Sequence, residues 1–297
     1  MILGGTVARS RARRPMAARA RFARGLAAAA LLLALALGGC VSENAEQEIG
    51  DQVAGQINHQ LPLVRDPAVN LYVNRLGRLI ARHSDRPDVP YRFYIVNSPA
   101  VNAFAIPGGH VYINRGLIER TENVSELSAV LAHEIGHVAA RHGARTLERQ
   151  LRTGSLISVM YRVILGSEPE LLDQTALRLG SSLWTASNSR KAEMEADDLA
   201  VRYLIDAGVD PRGIVTFLNS LLREEASSSQ PTLEWFSTHP MTSTRIAETQ
   251  KEIRRELPAA PSPELARDIA SYPAFLARVH QLPPSPVMAM PHPLPAP

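Results

Sequence analysis

Between Leu127 and Ala140 the chain is apolar on nearly every side, yet the middle of this stretch carries His133, Glu134 and His137. A helix that is hydrophobic all round belongs at the centre of a domain, not on its surface. Titratable groups buried there need partners, because an unpaired charge in an apolar interior is costly. The helix is predicted to begin near Asn123, with Glu126 three positions on as a capping-box-like pair, and to run to about His142.

Residues 133–137 read His-Glu-Ile-Gly-His. Two histidines four apart on a helix differ by about 40° of rotation. Both imidazoles therefore leave one face, about one turn apart, and can share a metal ion. Glu134 is too close in sequence to join them as a ligand but can hold a water beside the metal, the arrangement of zinc peptidases. A catalytic zinc site needs a third protein ligand. The solution with a third histidine requires Gly three residues after His137 and His three beyond that; those places hold Ala140 and Gly143. His142 follows too soon, rotated about 140° from His137 on a continuous helix, and cannot share the metal.

A glutamate from a later helix is the alternative, and Lys191–Asp198 supplies candidates on a helix predicted over about Arg190–Ala207. Glu195, Asp198, Arg202 and Asp206 lie at helical spacing as a charged, solvated stripe. Glu193 and Asp197 instead share their side with Ala196, Ala200 and Leu204. Two carboxylates on a small, apolar face call for a partner, which zinc and its histidines provide. Glu193 is the expected third ligand, and Asp197, one turn later, is placed to orient a ligand histidine.

Around this centre the periodicity predicts amphipathic helices over Glu43–Gln60, with Ile49, Val53 and Ile57 in line, and over Asp66–His83, with Val69, Val73, Leu76 and Ile80. Tyr91–Val96 reads as a strand, and Ala103–Ile106 and Val111–Ile113 flank a Pro107-Gly108-Gly109 turn as a hairpin-like pair. A further helix follows Asp210-Pro211 to about Glu225, then a polar loop at Ser227–Gln230. Eleven of the 22 prolines fall in the last 40 residues, so residues 257–297 are expected to be a largely disordered tail, with Glu264–Val279 partly helical and interrupted near Pro273. The expected fold class is α+β and mainly helical, with the peptidase domain over 45–256.

Residues 1–39 hold seven arginines and no acid, leaving 25 basic against 29 acidic residues beyond them. The basic pI of about 9.2 is thus a property of the N-terminus and not a nucleic-acid footprint. That arginine-rich stretch runs into Leu26–Leu37, twelve residues of Ala and Leu only. The length suits a signal-peptide core better than a membrane span. Leu37-Gly38-Gly39-Cys40 looks like a bacterial lipobox, which makes 1–39 a signal peptide (with Met16 an alternative start), Cys40 the lipidation site and 40–44 a tether. Cys40 is the only cysteine, so disulfides within the chain and multi-thiolate metal sites are excluded. Val41, not aspartate, follows it, which points to the periplasmic face of the outer membrane.

Four blocks resemble the HtpX/CAAX-prenyl-protease-like zinc metallopeptidases in their soluble periplasmic branch. They are Asn102–His110, Leu131–His137, Glu193-x-x-Ala-Asp197, and Thr238-His239-Pro240 followed by Arg245, in the family's order. The resemblance implies a zincin-like domain in which His133, His137 and Glu193 bind one Zn2+ and Glu134 is the base. It also makes His239 and Arg245 candidate donors to the oxyanion; His239 is equally able to occupy the metal's open position in a latent state. Asn102, Ala103 and Phe104 would form an exposed edge strand that takes substrate by strand addition, or an ordinary hairpin. No transmembrane helix follows the signal, which argues against prenylated substrates and for protein substrates. The expected partners are misfolded or misassembled envelope proteins and, through the lipid, the membrane. The rival is a chaperone-like factor of outer-membrane protein assembly, in contact with that machinery and latent as a protease.

Overall fold

The Ser42 hydroxyl accepts a hydrogen bond from the Ala45 amide at 3.2 Å and starts helix α1, Glu43–Gln60. Asp66 caps α2, Pro67–Ala81, by accepting from Ala68 and Val69 at 3.0 Å each, with Pro67 in the first turn. The computed structural model describes residues 41–152, 189–227, 234–240, 243–257, 265–267 and 270–286. The expected lipobox at Cys40 and most of the Ser227–Gln230 loop lie outside the described residues.

Strands β1 (Arg92–Val96), β2 (Ala103–Ile106) and β3 (His110–Asn114) form one sheet in the order β1-β3-β2. β3 pairs parallel with β1 and antiparallel with β2. The β2–β3 turn works because Gly108 and Gly109 both adopt positive φ, +83° and +87°, which side chains with a Cβ rarely tolerate. Alternation sorts the side chains by face. Phe93, Ile95, Val111 and Ile113 enter the main core, while Phe104, Ile106, Tyr112 and Val96 pack under α1 with Ala54. With both faces covered, every residue of central β3 is buried. His110 is among them, bonded through Nε2 to Asp51 Oδ1 at 2.9 Å beneath α1 and away from the helix that carries His133.

After the short α3 (Arg115–Ile118) comes α4, Val124–Ala139, capped by Asn123, whose side chain accepts from the Glu126 amide at 3.2 Å. Every residue from Val124 to Val138 is buried, as its all-round apolar character demands. α2, β2, α6 (Arg190–Asp206) and α7 (Arg212–Ser227) pack around it. α8 (Glu234–Thr238) and α9 (Ser243–Glu256) follow, α9 lying on α6 and α7. Among the described residues no helix is long and apolar enough to cross a membrane.

Two expectations need correction. The central helix does not continue to His142: it stops at Ala139, Arg141 takes a left-handed φ of 56°, and α5 restarts at His142 and runs to Arg152. The turn is held by Glu46, whose buried carboxylate accepts from Arg141 Nε at 2.8 Å and from Arg86 at 3.2 Å. The second correction concerns the proline-rich tail. α10, Ser271–His280, forms through Pro273 without a break, because a proline in the first turn removes an N–H that has no helical partner anyway. Tyr272, Phe275 and Val279 enter the core, and the Phe275 ring stacks on Tyr72 at 4.2 Å between centroids. Arg115 then donates to the Pro283 carbonyl at 2.9 Å. Packed chain therefore extends beyond residue 256. Phe275→Ala is expected to lower unfolding stability by about 3–5 kcal/mol, measured by urea titration; a change below 1 kcal/mol would mean that α10 is peripheral.

Candidate active site

The position of the metal-binding face depends on how closely α4 and α6 approach. At Gly136 an added Cβ would lie 2.9 Å from the Ala196 carbonyl oxygen, so the two backbones touch where they cross. Glu193 stands one turn before Ala196, and this contact swings it over His133 and His137. Only glycine in the fourth place of His-Glu-Ile-Gly-His permits the approach.

The donor atoms converge tightly. His133 Nε2 and His137 Nε2 are 3.0 Å apart, and Glu193 reaches them through Oε2 and Oε1 at 3.4 Å each. His239 adds Nδ1, 3.2 Å from His133 Nε2 and 3.1 Å from Glu193 Oε2. One atom from each of the four side chains lies within 4.8 Å of the other three, and all four residues are buried. Tetrahedral zinc with nitrogen ligands at about 2.0–2.1 Å places the ligands about 3.3 Å apart, so the spacing fits zinc. The chemistry agrees, since the buried Glu193 Oε1 and Glu134 Oε1 have no hydrogen-bond partner. Glu134 sits beside the cluster, its Oε1 3.4 Å from His239 Nε2.

Behind the cluster lies a second layer of buried polar side chains. His133 Nδ1 is 2.9 Å from Asp197 Oδ1. Arg245 grips Asp197 through Nε at 2.5 Å and Nη2 at 2.9 Å, and its Nη1 lies 2.9 Å from Glu193 Oε2. Thr249 donates to Asp197 Oδ2 at 3.5 Å. Burial works against ionisation of Asp197, but the Arg245 guanidinium outweighs it and holds the carboxyl down at about 2. Burial likewise opposes the Glu193 charge, and His239, His133 and His137 overcome it. Burial would lower His133, yet the Asp197 and Glu193 carboxylates raise it to about 9. His137 has less compensation, and burial drops it to about 3, which leaves a neutral imidazole. Glu134 is pushed above the usual carboxylate range by burial.

The family model for Peptidase family M48 matches residues 67–253, well over half of the chain. The chain belongs to peptidase family M48. Among similar M48 relatives, the beta-barrel assembly-enhancing protease of Escherichia coli (strain K12) is 32% identical over 226 residues, 74% of this chain and 46% of that protein. The putative beta-barrel assembly-enhancing protease of Vibrio cholerae is 30% identical, covering 76% of this chain and 49% of its own length. The mitochondrial metalloendopeptidase OMA1 of Arabidopsis thaliana is 31% identical over 152 residues, 51% of this chain and 29% of its own. The chain spans about half the length of the beta-barrel assembly-enhancing relatives it matches.

The M48 chain brings together His133, Glu134, His137, Glu193, Asp197, His239 and Arg245. Arg245, the expected oxyanion donor, has its nitrogens on the carboxylates of Asp197 and Glu193, with Nη2 also 3.4 Å from both ring nitrogens of His133. β2 is an edge strand, pairing only with β3 among the described residues. Its start is covered, however: Asn102, Ala103 and Phe104 are 1%, 0% and 4% exposed. Part of that cover is α8, where the Trp235 amide donates to the Val101 carbonyl at 3.0 Å and Thr238 Oγ1 to Asn102 Oδ1 at 3.4 Å. Sequence reasoning missed Trp235, stacked on His239 at 4.1 Å, although its place four residues earlier on the same helical face was a usable signal. It also missed His142, which touches His137.

Proposed function

We propose that this M48 chain is a zinc-dependent endopeptidase that hydrolyses peptide bonds in misfolded or misassembled envelope proteins. The observation that carries this reading is the convergence of His133, His137 and Glu193 on one buried centre with Glu134 facing it. Zinc held there supplies Lewis acidity, polarising the scissile carbonyl and acidifying water. Glu134 takes the proton from the attacking water and returns it to the amine as the C–N bond breaks. The similar proteins named as beta-barrel assembly-enhancing proteases support an envelope substrate. Purified full-length protein is expected to hold about one zinc per chain and to cleave an unfolded envelope protein, with chelator stopping cleavage; retained cleavage by zinc-free protein would sink the reading.

The proposal includes lipidation of Cys40 and attachment to the periplasmic face of the outer membrane. Val41, the next residue, is buried, and its amide donates to Glu148 Oε1 at 2.7 Å. The expected 40–44 tether is packed from Val41 onward, and α1 already begins at Glu43. Labelled acyl chain should enter the wild type and not Cys40→Ser.

The second reading, a latent enzyme with a chaperone-like role in outer-membrane protein assembly, is favoured by His239. Its Nδ1 completes a four-donor set, and closed four-ligand zinc sites are structural whereas catalytic ones keep a position open. His239→Ala is therefore expected to raise cleavage of unfolded protein at unchanged zinc content. A fall in cleavage would instead assign His239 to the oxyanion.

A further inference from the structure

We propose that His142 and Glu195 form a positioning chain that sets the orientation and tautomer of His137, in addition to the Asp197 brace on His133. The inference rests on the zinc reading of the site. His137 turns Nε2 into the donor cluster, 3.4 Å from Glu193 Oε1, and turns Nδ1 outward to His142 Nδ1 at 2.8 Å. His142 in turn places Nε2 3.3 Å from Glu195 Oε2.

The protons follow from this geometry. A neutral His137 that gives its Nε2 lone pair to a metal carries its one proton on Nδ1 and donates it to His142. His142 must accept at Nδ1, so its own proton sits on Nε2 and is donated to the Glu195 carboxylate. One carboxylate thus polarises two imidazoles in series and raises the basicity of the ligand nitrogen.

The two ligand histidines are supported differently. His133 leans on Asp197 in a fully buried set with Arg245. His137 is supported across the Ala140–Arg141 turn, by a residue on α5 and then by one on α6. The chain ends at the edge of a cleft of about 830 Å³ between those helices, where Glu195 is 41% exposed and Arg145 stands 3.9 Å away. His142 is 6% exposed. On a continuous helix it would face away from His137; the left-handed Arg141 brings it back.

The test is zinc affinity of the full chain in detergent, measured by chelator competition, beside the melting temperature of the zinc-free protein. His142→Phe, which keeps the volume and removes the acceptor, is expected to weaken zinc binding by about 10–100-fold. His142→Asn, whose side-chain oxygen can take the place of Nδ1, should recover most of the loss. Glu195→Leu, at the solvent edge, should weaken binding in the same direction without lowering the melting temperature, and it carries the test if His142→Phe does not fold. Wild-type affinity in both His142→Phe and Glu195→Leu would overturn the proposal, as would equal losses in Phe and Asn that merely track melting temperature. If the wild type binds no zinc, the metal reading itself fails, a separate outcome.

Discussion

Glu134→Gln is expected to lower peptide-bond hydrolysis by about 10²–10⁴-fold, the usual contribution of a positioned general acid–base group. The carboxamide keeps the shape of the side chain but cannot take a proton from water. Glu134 is 1% exposed and its Oε1 makes no hydrogen bond, so the substitution keeps the packing and alters, besides the proton transfer, the 3.4 Å contact with His239 Nε2. Zinc content should stay at the wild-type value, because Glu134 is not among the four side chains whose donor atoms converge, His133, His137, Glu193 and His239. Cleavage of an unfolded envelope protein, paired with a metal assay, measures both quantities. Wild-type cleavage by this variant would remove the proposed chemistry. The same variant separates the two functional readings: full rescue of envelope defects in a deletion strain by Glu134→Gln would make the chaperone-like role the relevant one.

Arg245→Ala has the next largest expected effect, on folding more than on turnover. Arg245 is 2% exposed and lies between two buried carboxylates, Asp197 and Glu193. Removing one partner of such a buried ionic set leaves charge without compensation, at a cost of about 3–5 kcal/mol. The pH dependence has a definite sign. Asp197 titrates at about 2 in the folded protein, below its ordinary value of 3.8. Its contribution is therefore present above pH 3.8 and is lost as the pH falls through 2. Without Arg245 that carboxyl shifts upward, so the gap between wild type and variant should be widest near neutrality and close on acidification below about pH 4. Urea unfolding of zinc-free protein at pH 7 and pH 3 measures it. Unchanged stability combined with lost turnover would restore the oxyanion role that the sequence pattern suggested.

Much of the centre was legible because it is local or periodic. His133 and His137 share a face by the geometry of one helix turn. Glu193 and Asp197 stood out as acids on an otherwise small, apolar side of their helix, and both are buried as that pattern requires. The solvated stripe was legible only in part. Asp198, Arg202 and Asp206 are exposed, but Glu195 reaches His142. No helical-face argument shows this, because the partner lies on another element. The expected helix within Glu264–Val279 is there, but the expected interruption near Pro273 is not, because the position of Pro273 in the first turn of its helix decided the outcome.

The sequence by itself determined which residues could meet a metal and which helix had to be central. Those properties follow from spacing along one element and from the cost of burying unpaired charge. The tertiary structure decided which partners each group meets. Arg245 is turned to carboxylates, His239 completes the donor set, residues 102–104 are covered, and a single left-handed residue sends His142 back onto His137. These outcomes depend on contacts between positions up to 136 residues apart, such as Thr238 with Asn102. Helical periodicity carries no information over such separations, whereas packing around one crowded helix leaves each of these side chains few places to go.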